Sequence, residues 1–177
     1  ANAGEIPTGL SGITLEATVL INDVNRIGEN NMAFTIIGNS QDVSGVALIF
    51  YKNKIKIKVG TNEYNWYQQV EIDLNEIGEG KAHNIIGTYD GNYIRMYVDG
   101  VLYNQLQVAG TLKDSINNTV MALGANTNGQ NPEFGSYANM NMISARVYDR
   151  ALTAEEVAQN ANALQGKKTN KKQHTIK

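Results

Sequence analysis

The chain has 177 residues, 42% hydrophobic and 18% charged, with 15 Lys and Arg against 17 Asp and Glu and no Cys. That length suits one domain able to fold on its own core, and the missing Cys removes thiol catalysis, zinc–thiolate sites and iron–sulfur chemistry. Residues 167–177 hold five Lys and no acid, so residues 1–166 carry 10 basic and 17 acidic side chains, which argues against nucleic acid as partner of the main domain because phosphate binding needs clustered Lys and Arg.

Only two His occur, His83 and His174, too few for multi-His metal sites and most Ser-His-Asp schemes. No apolar run approaches the roughly 20 residues of a transmembrane helix. The chain begins at Ala1 without Met or a leader, as expected of a processed or excised segment. There are 23 Asn and 17 Gly but two Pro, a composition of turns and polar loops.

Taken in chain order, residues 1–10 form an N-terminal segment. In residues 13–21 (ITLEATVLI) every odd position is apolar, the period-two pattern of a strand with one buried face. Further strands are predicted at 33–38, 46–51, 54–59, 64–72, 84–89, 93–98, 101–107, 120–124 and 142–148. The KIKIKV run at 54–59 puts Lys on one face and aliphatics on the other, the pattern of a solvent-facing strand: a solvated outer face or a charged edge that resists aggregation, with a basic binding strip as the other reading. Asp99-Gly100 is a two-residue hairpin signal, and Asp90-Gly91-Asn92 closes the hairpin before it; both Asp read as turn residues. Thr153 and Glu156 match a capping box, with Leu152 and Val157 as its hydrophobic staple. That predicts a helix to about Leu164, stopped at Gly166. Residues 167–177 read as a basic flexible tail or linker. Some ten strands and one short C-terminal helix make 11–166 an all-β domain, an antiparallel β-sandwich of jelly-roll type.

The stretch from His83 to Leu102 (HNIIGTYDGNYIRMYVDGVL) resembles the central meander of laminin-G-like jelly rolls in the concanavalin A-like lectin and glucanase superfamily. Residues 143–157 (ISARVYDRALTAEEV) are similar to that family's last strand and capped helix, and 15–19 to its opening strand, with Thr18 where the family usually has Trp or Phe. The resemblance implies a concanavalin A-like sandwich in a secreted, cell-surface or virion-associated protein. It implies a non-catalytic, lectin-like or adhesive module whose partner is a glycan or glycoprotein surface, often with calcium. A structural subunit of a phage particle or surface appendage, with protein partners, is the alternative.

Several residues offer chemistry. Tyr64, Trp66 and Gln68 would share one strand face, where rings stack on sugars and amides bond hydroxyls; the other reading plugs the core with Trp66. The polar stretch 124–133 is expected to be a loop whose Asn126, Asn128, Gln130 and Asn131 meet sugar hydroxyls, or whose Asn128 and Glu133 meet Ca²⁺; Asx turns alone also explain it. Residues 71–76 (EIDLNE) resemble the Glu-Ile-Asp-x-x-Glu signature of β-glucanases, which would make Glu71 nucleophile, Asp73 helper and Glu76 acid/base of a glycoside hydrolase, Glu76 being returned to the strand face by a bulge near Asn75. Against this, only six residues separate Glu76 from His83, and the single Trp leaves no aromatic cleft, so the module is read as no enzyme. Tyr93/Arg95/Tyr97 and Ser144/Arg146/Tyr148, if on one sheet, suit either an acidic sugar or Arg–Tyr stacking. His83 reads as a strand-end residue.

Overall fold

The computed structural model describes residues 9–21, 34–39, 44–114, 121–128, 131–137 and 140–172, at the level of the backbone alone for 34, 125–128, 131–137 and 164–172. Two five-stranded antiparallel sheets face each other. The first has β1 (Ile13–Ile21), β6 (Ala82–Tyr89), β7 (Tyr93–Val98), β8 (Val101–Gln107) and β12 (Met140–Tyr148), in the order β12-β1-β6-β7-β8. The second has β2 (Phe34–Gly38), β3 (Val46–Tyr51), β4 (Lys54–Val59), β5 (Gln68–Asp73) and β9 (Ala122–Leu123), in the order β5-β4-β3-β2-β9. A hairpin of β10 (Ala125–Asn128) and β11 (Asn131–Tyr137) follows β9, and α1 (Leu74–Ile77) and α2 (Ala154–Lys172) complete the elements.

The core forms as alternation dictates. Leu15, Val19, Ile85, Ile94 and Met96 of the first sheet meet Leu48, Phe50, Ile55, Ile57 and Val70 of the second, all essentially buried. Gly87 sets the closest approach: a Cβ there would stand 2.4 Å from the Ile57 side chain. The predicted Asp99-Gly100 turn has positive φ at both residues, 50° and 86°, as a type I′ turn requires.

Four expectations change and one is narrowed. The lysine strand β4 lies inside its sheet, between β5 and β3, with its lysines on the partly exposed face, so of the two alternatives the solvated outer face holds and the charged edge does not. Residues 64–67 precede β5 instead of belonging to it, because the chain first turns at 61–63 to bond the segment near residue 111. Residues 74–77 form one helical turn, not a bulge: Asp73 accepts the Asn75 N–H at 2.9 Å as its cap. Within the polar stretch 124–133, β10 and β11 pair as a hairpin, with Thr127 opposite Pro132 and Asn128 opposite Asn131; Gly129-Gln130, with Gly first of the two residues between the strands, is the sequence signal for it. Helix α2 continues through Gly166 to Lys172, past the stop expected at Gly166. One internal Gly costs a helix only about 1 kcal/mol, and lysines near its end favour the helix dipole.

β1 is buried on both faces because α2 covers part of the first sheet's outer surface. Thr153 and Glu156 make the reciprocal capping bonds, and Leu152 and Val157 pack with Ile86, Tyr97 and Tyr148. Glu16, fully buried beneath the helix, accepts from Asn84 at 3.0 Å, Arg146 at 2.8 Å, Tyr148 at 2.9 Å and Asn160 at 3.0 Å. A desolvated carboxylate is costly unless so partnered.

Candidate functional site

The loop between β4 and β5 carries the only Trp of the chain. Its first half is held by the segment after β8. The Asn62 N–H donates to Thr111 O at 3.1 Å, Asn62 Oδ1 accepts the Thr111 N–H at 2.8 Å, and Thr61 Oγ1 donates to Ala109 O at 3.1 Å. That segment is in turn tied to the core by the buried Tyr89, whose hydroxyl donates to Gly110 O and lies 3.3 Å from Val108 O. Burial, and then the neighbouring Asp90 and Tyr64, push the Tyr89 phenol up to about 12.

On this support Trp66 is 52% exposed and Tyr64 37% exposed, which removes the reading of Trp66 as a core plug. The Trp66 and Tyr67 rings lie 5.5 Å apart at 36°, and the Lys58 ammonium sits 3.7 Å from the centre of the Tyr67 ring. The Gln68 Nε2 donates to Trp66 O at 3.3 Å, bracing the loop. Tyr67 and Lys58 are members of this group that the sequence pattern does not reveal. Strand alternation points Tyr67 away from Trp66, and only the loop geometry brings the two rings together.

The described backbone of Asn126, Asn128 and Asn131 stands apart from the aromatic loop. β5 and β9 are opposite edges of one sheet, four strand spacings or roughly 19 Å apart, and the β10–β11 hairpin continues from β9. Gln130 lies outside the described residues, as do the side chains of Asn126, Asn128, Asn131 and Glu133. Among the described residues no group of three or more His, Asp or Glu is placed to hold a metal ion.

The carboxylates of 71–76 are separately engaged. Glu71 binds Lys54 and, at 3.0 Å, Lys56; their hydrogen bonds hold it below the usual carboxylate range. Asp73 caps α1 and accepts from Asn53 at 3.3 Å. Glu76 is exposed on the helical turn.

β7 and β12 do share a sheet, but β6 and β1 stand between them. Arg146 is turned onto Glu16, while Arg95 pairs with Asp90 and stacks 4.8 Å over Tyr93. Each guanidinium has its own carboxylate, and no joint anion clamp forms. His83, 5% exposed, donates from Nδ1 to Asp99 at 2.8 Å, and Asp99 also accepts the Asn84 N–H at 2.9 Å. The pair fastens the β7–β8 turn to β6.

The structure is similar to solved binding domains of botulinum neurotoxins. The domain of type DC recorded in complex with SialylT shares 18% identity at a TM-score of 0.62, over 87% of this chain and 36% of that one. The same type recorded with rat synaptotagmin II shares 17% at 0.60, over 86% and 36%. The serotype G binding domain shares 14% at 0.64, over 88% and 37%. The chain thus spans little more than a third of the length of these neighbours, and the likeness is one of fold. No curated protein compared with the sequence matches it. The family model described as the concanavalin A-like lectin/glucanases superfamily, in its laminin G form, matches residues 3–158, and the chain belongs to that superfamily.

Proposed function

We propose that the chain is a non-catalytic carbohydrate-binding or adhesive module of an extracellular or surface protein, with Trp66 as the stacking surface and Tyr64 and Gln68 beside it. The carrying observation is that Trp66 is half exposed on a loop braced by Tyr89, Asn62 and Gln68. A large ring facing solvent from a fixed backbone buries apolar area on a sugar at little cost in ordering. Asn126, Asn128, Gln130 and Asn131 are proposed as a second contact, separate from the Trp66 loop. The non-catalytic reading is supported by Glu71 and Asp73 being committed to Lys54, Lys56 and the α1 cap. The fold's occurrence in toxin binding domains recorded with SialylT and synaptotagmin II is consistent with recognition.

The test is a glycan array with and without calcium, run on the chain and on Trp66→Ala. The variant keeps its melting temperature and loses binding; retained binding, or an array with no positives, removes the reading. A protein partner is the second reading, favoured by the edge strand β8, where Val101 is 62% exposed, Leu102 44%, Tyr103 42% and Leu106 39%. Such an edge accepts an added strand.

A further inference from the structure

We propose that the outer face of β4, with Lys54, Lys56 and Lys58, together with Lys52 of the β3–β4 turn and the adjoining Tyr67 and Trp66, is a binding strip for an acidic glycan, a chain bearing carboxylate or sulfate groups. This rests on the carbohydrate-binding reading and specifies the charge of its ligand. Lys54, Lys56 and Lys58 recur every second residue, about 6.7 Å apart along the strand. The Lys52 and Lys56 ammonium groups lie 5.3 and 5.1 Å from the centre of the Tyr51 ring. Lys58 lies over Tyr67, whose ring adjoins Trp66. A cation–ring group thus stands at each end of the strip, Tyr51 with Lys52 and Lys56 at one and Tyr67 with Lys58 at the other, and Trp66 adjoins the second.

Edge protection does not account for these lysines, since β4 is flanked by β3 and β5. Across the β4–β5 ladder, Lys54 faces Asp73, Lys56 faces Glu71 and Lys58 faces Gln69. The acidic members thus stand far from Trp66 and the neutral amide stands near it. Rings and ladder neighbours hold the ammonium groups in place before a ligand arrives, so less side-chain entropy is lost on binding. Glu71, shared by Lys54 and Lys56, competes with an incoming anion. A sugar ring on Trp66 with its acidic groups over the lysines uses both halves of the strip. Single-stranded nucleic acid also combines stacking with charge and is the rival occupant.

The experiment uses the full chain and its single Trp as the fluorescent reporter, titrated with four probes. These are heparin oligosaccharides (sulfate and carboxylate), hyaluronan oligosaccharides (carboxylate only), neutral dextran oligosaccharides and single-stranded DNA of matched charge. One or both acidic glycans bind saturably, and raising NaCl from about 50 to about 300 mM weakens them roughly tenfold. The double substitution Lys52→Gln/Lys58→Gln weakens them about tenfold with the fold intact by circular dichroism. Glu71→Gln, which releases Lys54 and Lys56, tightens them about threefold. Equal binding of neutral and acidic glycans, unmoved by the lysine substitutions, overturns the acidic strip and leaves the carbohydrate reading standing. Failure of every glycan here and on the array removes both, and tighter binding of DNA than of either acidic glycan overturns the strip.

Discussion

Asn160, on the C-terminal helix, donates at 3.0 Å to the carboxylate of Glu16, on the first strand, across 144 residues of chain. The same Nδ2 reaches the Tyr148 hydroxyl at 3.0 Å. The helix is thereby fastened to two strands of the first sheet at a point where Glu16 has no access to water.

Replacing Glu16 by Ala strands the donors of Arg146, Tyr148, Asn84 and Asn160 together. The expected loss is about 3 kcal/mol, the scale of breaking a buried ion pair. Asn160→Ala removes one donor and costs about 1 kcal/mol. Urea midpoints of the two variants measure this; equal losses would mean that Glu16 serves only the helix.

Gly87→Ala pushes a methyl group into Ile57, and such overpacking costs about 1–3 kcal/mol. Ile57→Val removes the nearest Ile57 carbon, Cδ1, and the double variant is more stable than Gly87→Ala alone. Thermal melts of the double-mutant cycle would read the coupling.

Stability falls in acid. The Arg150 guanidinium, and then the Thr153 backbone N–H, hold the Glu156 carboxyl at about 2 against an ordinary 4.5, and Lys54 and Lys56 lower Glu71 as well. Depressed folded values mean that the unfolded chain binds more protons, so these contributions are complete above the ordinary value and disappear as pH falls through the folded one. The melting temperature drops as pH falls from about 5 to about 2, less steeply in Glu156→Gln, where that carboxyl no longer titrates.

At the alkaline end the sign reverses. Tyr89 is neutral in the fold up to about 12 against 10.0 unfolded, so its contribution is complete below pH 10 and lost as pH rises through about 12. Tyr89→Phe flattens that part of the pH profile, costs about 1 kcal/mol at neutral pH, and loosens the support of the Trp66 loop. Urea midpoints near pH 8 and pH 11, paired with glycan affinity, check both consequences.

Short-range features are legible in the sequence. The capping box of Thr153 and Glu156, the Asp99-Gly100 turn and the alternation of β4 each depend on residues a few positions apart, and each forms as expected. The same rules misplace residues 64–67 and 124–133. In the first case, bonds to residues 109 and 111 override a strand pattern. In the second, polar composition conceals a hairpin whose sign is Gly129, the first of the two residues between its strands. Glu16 reads in the sequence as a solvent-facing residue of a one-sided strand, and it is buried because α2 comes to rest upon it.

The sequence by itself determined the class of fold, the meander of β6, β7 and β8, the start of α2 and the acidic balance of the body. Periodicity, turn chemistry and charge are local sums, and they survive whatever the rest of the chain does. Tertiary structure decided that Trp66 faces solvent, that β4 lies within a sheet and that the aromatic loop and the amide hairpin stand at opposite edges. Those outcomes depend on strand order and on contacts between segments tens to more than a hundred residues apart, where composition and spacing hold no information about which face meets which.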